Sequence, residues 1–145
     1  MRILVDGDAC PGKNFIEEAA KKYELEMIIY CDMNHVITSA YSKVCYVESG
    51  FQNVDMVIAN ETKPGDLVVT QDFGVAAMVL GKKAYAVNPK GLIYTEGNID
   101  GLLLERHISQ KLRKAGKKTT NAKKRTTQDD ERLYSSLIKI ITEAN

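Results

Sequence analysis

The segment ILVDGDACPGK, residues 3–13, ends an apolar run in two carboxylates, Asp6 and Asp8, separated by one glycine. Two further acids hold comparable places. Asp72 closes the run DLVVTQD, and Asp55 lies at the start of the helix-like stretch NVDMVIANE that precedes it. In open α/β sheets the ligand crevice lies outside the carboxyl ends of the strands, so acids from separate strands can meet there. Converging carboxylates repel one another unless a cation neutralises them. Hard carboxylate oxygens suit Mg²⁺ or Mn²⁺, and such ions lower the pKa of bound water and stabilise an in-line displacement at phosphorus. The pattern therefore points to metal-dependent phosphodiester chemistry at Asp6, Asp8, Asp55 and Asp72.

Each acid also has a plainer use. A single Asp after a strand is most often the N-cap of the next helix. Asp8 would cap a helix opening near Pro11, since Pro favours the first helical turn. Asp72 would cap FGVAAMVL, and Asp55 would act on the positive end of its own helix. Asp66 stands in a Lys-Pro-Gly-Asp turn.

Two other chemistries start from the same residues. Asp-x-Asp after a first strand is the nucleophile motif of haloacid-dehalogenase-like phosphatases, with Thr70 available to a phosphate. Here the pair is followed by Ala9-Cys10-Pro11 rather than a hydroxyl residue, and the late acidic pair, Asp129-Asp130, opens a helix. Gly7 to Lys13 also satisfies G-x-x-x-x-G-K, but Asn14 replaces the hydroxyl residue, Asp8 would repel phosphate and Pro11 lacks an N–H. Cys10 near a helix start has two aspartates beside it, which disfavour a thiolate. With Cys31 and Cys45 it reads as a reduced, buried small side chain, and no CxxC spacing suggests zinc.

The elements that would position these residues alternate. ILVD, EMIIYC, KVCYVES, DLVVTQD and AYAVN read as strands, several of them continuous apolar runs as in a parallel sheet. KNFIEEAAKKYEL, NVDMVIANE and FGVAAMVLGK read as the helices between them. After Asn88-Pro89-Lys90-Gly91 the strand signal stops. NIDGLLLERHISQKLRKAG and QDDERLYSSLIKIITEA read as two long helices joined by a basic, Thr-rich loop over 116–127. The 145 residues fit a single domain, with an α/β core over 1–91 and a helical extension with its basic loop over 92–145. The 44% apolar content is ordinary for a globular protein. No stretch approaches the roughly 18 apolar residues of a membrane span. The start, MRILVDGDA, reaches acids too early for a signal peptide, so a cytoplasmic location is expected.

The net charge of +1 hides a split. Residues 106–125 carry nine Lys or Arg and no acid, beside an acidic first part of the chain. Such a block either forms a solvated surface or follows a phosphate backbone; without interleaved aromatics it favours backbone contact over base reading.

VDGDACP resembles the VDADACP opening of the YaiI/YqxD family of bacterial proteins. The likeness continues through ESGFQNVDMVIANETKPGDLVVTQD, GKKAYAVNPKG and NID…LLLERHISQKLRKAG, nearly the whole chain. Gly7 stands where that family usually has Ala, and Thr120-Asn121-Ala122 where it has Gly-Gly-Pro. The family in turn is similar to the PIN-like nucleases. The resemblance implies a PIN-like three-layer α/β fold with a central, mostly parallel sheet and a helical C-terminal extension. It also implies Mg²⁺ or Mn²⁺ on Asp6, Asp55 and Asp72, with Asp8 in or beside the shell. On this basis the expected activity is metal-dependent hydrolysis of RNA. The expected backbone contacts are Lys13, Lys90, Arg106, Arg113, Lys117, Lys118, Lys123, Lys124 and Arg125. The expected partner is RNA, with a homodimer open and no membrane. The alternatives are a nucleic-acid-binding module without turnover, and a small Asp-x-Asp phosphatase.

Overall fold

The computed structural model describes residues 1–8, 10–32, 37–48, 53–116 and 124–144. Its elements run β1 (Arg2–Asp6), α1 (Lys13–Lys22), β2 (Glu26–Asp32), β3 (Lys43–Val47), α2 (Val54–Glu61), β4 (Leu67–Val69) and α3 (Phe73–Gly81). They continue with β5 (Tyr85–Val87), β6 (Ile93–Tyr94), α4 (Glu96–Lys114) and α5 (Thr127–Ala144). The strands form one sheet in the order β3-β2-β1-β4-β5-β6. All neighbours are parallel except β5 and β6.

The continuous apolar runs form the middle of the sheet because both faces are covered. Ile3 and Val5 point to one face, with Met27, Ile29, Leu67 and Val69, and meet Ile16, Ala19 and Ala20 of α1 and Leu133, Leu137 and Ile141 of α5. Leu4 points to the other, with Ile28, Tyr30, Val68 and Ala86, and meets Ile58 of α2, Val75, Ala76 and Val79 of α3 and Ile99 of α4. This is the expected three-layer α/β arrangement around a mostly parallel sheet.

One expectation fails. The strand signal does not end at Pro89: β6 returns antiparallel to β5, pairing Ala86 with Tyr94 and Val87 with Ile93. A two-residue strand is too short to show alternation. Its partner is reached through a turn in which Asn88 N–H donates to Leu92 O and Gly91 N–H to Asn88 O. Gly91 has φ +91°, and a Cβ there would lie 2.6 Å from the Arg132 carbonyl carbon, so only glycine lets this turn seat on α5.

The helix starts follow local chemistry. Thr95 caps α4 in a reciprocal box with Asn98. At the start of α5, Asp129 N–H donates to Thr126 Oγ1, while Thr126 N–H donates to the Asp129 carboxylate. At α1 the expected Asp8 cap is absent: Gly12, at φ 83°, is the N-cap and no side chain caps the helix.

Asp66 has more than a turn to hold. Buried between β1 and β4, it accepts from Arg2 N–H and guanidinium and from Lys63 N–H. Burial alone would raise its pKa; the Arg2 guanidinium and these backbone N–H groups outweigh that and hold the carboxyl below its ordinary range. Its contribution is therefore present above the ordinary Asp pKa and lost as pH falls through the lowered one. Asp66→Asn should cost about 1.5 kcal/mol at neutral pH, read by urea unfolding, with the difference shrinking in strong acid.

Candidate functional site

The sheet order reverses between β1 and β4, which makes the crevice at their carboxyl ends the natural ligand position. Three of the expected acids come together there. Asp6 is the last residue of β1, Asp72 follows β4, and Asp55 enters from the first turn of α2. With Gln71, Phe73 and Arg106 they line one cavity of about 330 Å³.

Asp6 is only 8% exposed. Its pKa is pushed up to about 6, first by burial and then by the charge and hydrogen-bonding contact of Asp55. The Asp8 backbone N–H, donating to Asp6 Oδ1 at 3.2 Å, works in the opposite sense. Asp72 does cap α3: its Oδ1 accepts from Val75 N–H at 3.0 Å. That leaves Oδ2 outside the cap bond. The same side chain thus serves the helix and lines the cavity.

Asp8 is placed differently. Its Oδ2 accepts from Asp32 N–H at 3.0 Å, on the β2 side, and it does not line this cavity. Asp8 acts on the site through its own N–H and its charge on Asp6. Asp32, a third acid at a strand end, was not among the expected residues; its position closing EMIIYCD was the available signal.

Among the described residues, no group of three or more His, Cys, Asp or Glu side chains is gathered closely enough to hold a metal ion by itself. The donor set available to a cation is the Asp6–Asp55 pair, with Asp72 on the same cavity wall.

A second cavity of about 240 Å³ adjoins the first and shares Gln71 and Phe73 with it. Pro11, Asn88, Pro89, Lys90, Tyr94 and Arg125 complete its lining. Neither Gln71 nor Phe73 was an expected site residue, although both flank Asp72 in TQDF at a strand's carboxyl end.

The expected cations divide. Arg106 borders the acidic cavity and Lys90 the second one. Arg113 lies in the last turn of α4, and Lys124 is exposed. Lys13 Nζ donates to Cys10 O at 2.9 Å, closing its own loop. Arg125 is tied down: Nε donates to Asp130 Oδ1 at 2.7 Å and Nη1 to Pro89 O. Its Nη2 is also 2.7 Å from Asp130, but off the hydrogen-bonding direction. Lys117, Lys118 and Lys123 lie outside the described residues.

The residues of the other chemistries are engaged elsewhere. Thr70 is buried and its Oγ1 accepts from Asp72 N–H. Asp129 and Asp130 pair with Arg132 and Arg125 at the start of α5. Cys10 is buried, and burial pushes its thiol up to about 12, against a reactive thiolate.

The model of the family described as "Uncharacterized BCR, YaiI/YqxD family" matches residues 4–143. A UPF0178 protein of Clostridium kluyveri is 62% identical over 141 residues, covering 97% of this chain and 93% of the relative. One from Clostridium tetani is 61% identical and covers 99% of each chain. One from Lachnoclostridium phytofermentans is 48% identical and covers 97% of each. A crystal structure of Rae1 (YacP) from Bacillus subtilis superposes with a TM-score of 0.47 at 18% identity, over 80% of this chain and 84% of that one. On the match that runs from Leu4 through Glu143, the chain belongs to the YaiI/YqxD family.

Proposed function

We propose that this protein is a divalent-metal-dependent nuclease acting on RNA. The observation that carries the reading is the contact of Asp6 with Asp55 in the crevice between β1 and β4. Holding a buried carboxylate against a second one opposes folding at neutral pH, and such perturbed groups concentrate at functional sites. A cation removes the conflict.

The donor chemistry fits Mg²⁺ or Mn²⁺. Both acids offer hard oxygens, and Mg²⁺ is commonly held by one or two carboxylates with its other positions left to water and substrate phosphate. A ready-made cluster of three acids is not required. Asp6 and Asp55 would hold the ion, with Asp72 beside them. When bound, it supplies Lewis acidity toward a phosphoryl oxygen and a means of activating water.

The chain's own residues do the rest. Asp8 N–H fixes the Asp6 carboxylate. Arg106 borders the same cavity and would take a non-bridging phosphate oxygen. Lys13, Lys90, Arg113, Lys117, Lys118, Lys123, Lys124 and Arg125 are the proposed backbone-facing cations, although Lys13 also binds Cys10 O and Arg125 also binds Asp130 and Pro89 O. The similarity of the acid positions to those of PIN-like nucleases supports the same reading. The RNA-binding module without turnover is favoured by the basic block alone. The two readings are separated by incubating single-stranded RNA with the protein in Mn²⁺ and in EDTA. A nuclease yields metal-dependent fragments; a module retains the RNA uncut and releases it as salt rises.

A further inference from the structure

The second cavity differs in chemistry from the acidic one beside it. Its walls include Pro11, Phe73, Pro89 and Tyr94. Its arginine, Arg125, is already engaged by Asp130 and Pro89 O. Lys90, exposed, is the other cation of the lining and suits the strand's backbone, while a planar ring would find apolar and aromatic walls. Phe73 belongs to both cavities. It is half-buried at the first position of α3, immediately after the Asp72 cap. Its ring packs edge-on against Tyr94, with centroids 5.9 Å apart at 72°. Tyr94 is itself fixed by its hydroxyl, which donates to Thr70 O at 3.2 Å. Phe73 is therefore a pre-set aromatic wall one side chain away from the acids.

We infer that this cavity receives one unstacked base of a single-stranded RNA whose adjoining phosphate lies in the acidic cavity, with Phe73 as the stacking platform. The inference rests on the nuclease reading for its phosphate position. A base within a duplex cannot enter a walled cavity without leaving its stack, so the site selects single strands. Stacking does not distinguish bases strongly, so the pocket sets strand state and register more than sequence. Gln71 lies on the shared wall beside Phe73.

The test is equilibrium binding of a fluorescein-labelled uridine octanucleotide and its single-abasic variants. It is performed without metal in an Asp6→Asn background, which removes turnover and one repelling charge. One abasic position should weaken binding about tenfold, with the others nearly unchanged. Phe73→Leu, added to that background, should weaken the intact oligonucleotide by a similar factor and leave the oligonucleotide abasic at that position unaffected. A flat abasic series overturns the inference, as does an equal loss from Phe73→Leu on every oligonucleotide, or failure of the intact strand to bind. The abasic series needs no change at Phe73, so a misfolded Phe73→Leu does not decide the result. Cleavage by the wild-type protein in Mn²⁺ is scored alongside. A position-specific profile without cleavage overturns the nuclease reading alone; cleavage with a flat profile overturns the base pocket alone.

Discussion

Replacing Asp6 with Asn is expected to stabilise the metal-free protein at pH 7.5. Folding raises the Asp6 pKa to about 6 through burial and Asp55. A group raised in this way contributes stability below its unfolded value, near 4, and loses it as pH rises through the folded value. Above pH 6 the wild-type protein must ionise Asp6 against Asp55, and Asp6→Asn need not. Solvent screening reduces the gain to about 1 kcal/mol, a rise in melting temperature of roughly 2–5 °C for a chain of this size. Near pH 4 the two proteins should melt together. Mn²⁺ should then reverse the order at neutral pH. Saturation at about a thousand times Kd adds about 4 kcal/mol to the wild type, more than the variant's advantage, while Asp6→Asn, lacking one of the pair, gains little. Thermal unfolding by circular dichroism over a pH series, with EDTA or Mn²⁺, checks both halves. A variant less stable than wild type at pH 7.5 in EDTA would remove the electrostatic argument.

The acids should separate in catalysis. Asp6→Asn and Asp55→Asn are each expected to lower the rate of metal-dependent RNA cleavage by about a hundredfold or more, about 2.7 kcal/mol of barrier. Asp72→Asn is the informative neighbour, because asparagine caps a helix as well as aspartate does. The Val75 N–H retains its acceptor, so the stability of α3 is kept and only the charge in the cavity is lost. Cleavage that falls while the melting temperature holds assigns Asp72 to the site as well as to the cap. Asp8→Asn should cost less than tenfold, since its contact with Asp6 runs through the backbone N–H. Single-turnover cleavage of one labelled oligonucleotide gives all four rates. Equal rates for the Asp6, Asp55 and wild-type proteins would place the chemistry elsewhere.

The parts of this site that could be read in the sequence are those set by strand ends. ILVD and DLVV are apolar without interruption because both faces of β1 and β4 are covered, and the acids that follow such strands emerge at the carboxyl edge. Asp6 and Asp72 were legible for that reason, and Asp55 from its place at a helix start. The illegible parts depend on tertiary contacts. Arg2 and Asp66 are 64 positions apart and meet only because β1 and β4 are neighbours. Asp8 looked like a cap, but Gly12 takes that place and Asp32 N–H takes the carboxylate. β6 is too short for a period. Arg125 looked like one more cation in a basic run, whereas the turn at Asn88–Gly91 and the start of α5 bring it Pro89 O and Asp130. Phe73 has an ordinary helical position in sequence, and only the adjoining cavities show which faces it presents.

Whether this site cuts RNA is decided by incubating a labelled single-stranded RNA with wild-type and Asp6→Asn proteins purified in parallel, each in Mn²⁺ and in EDTA. Fragments are expected from the wild type in Mn²⁺ alone, and none from the variant under either condition. Intact RNA in all four reactions, or the same fragments from both proteins, would contradict the nuclease reading.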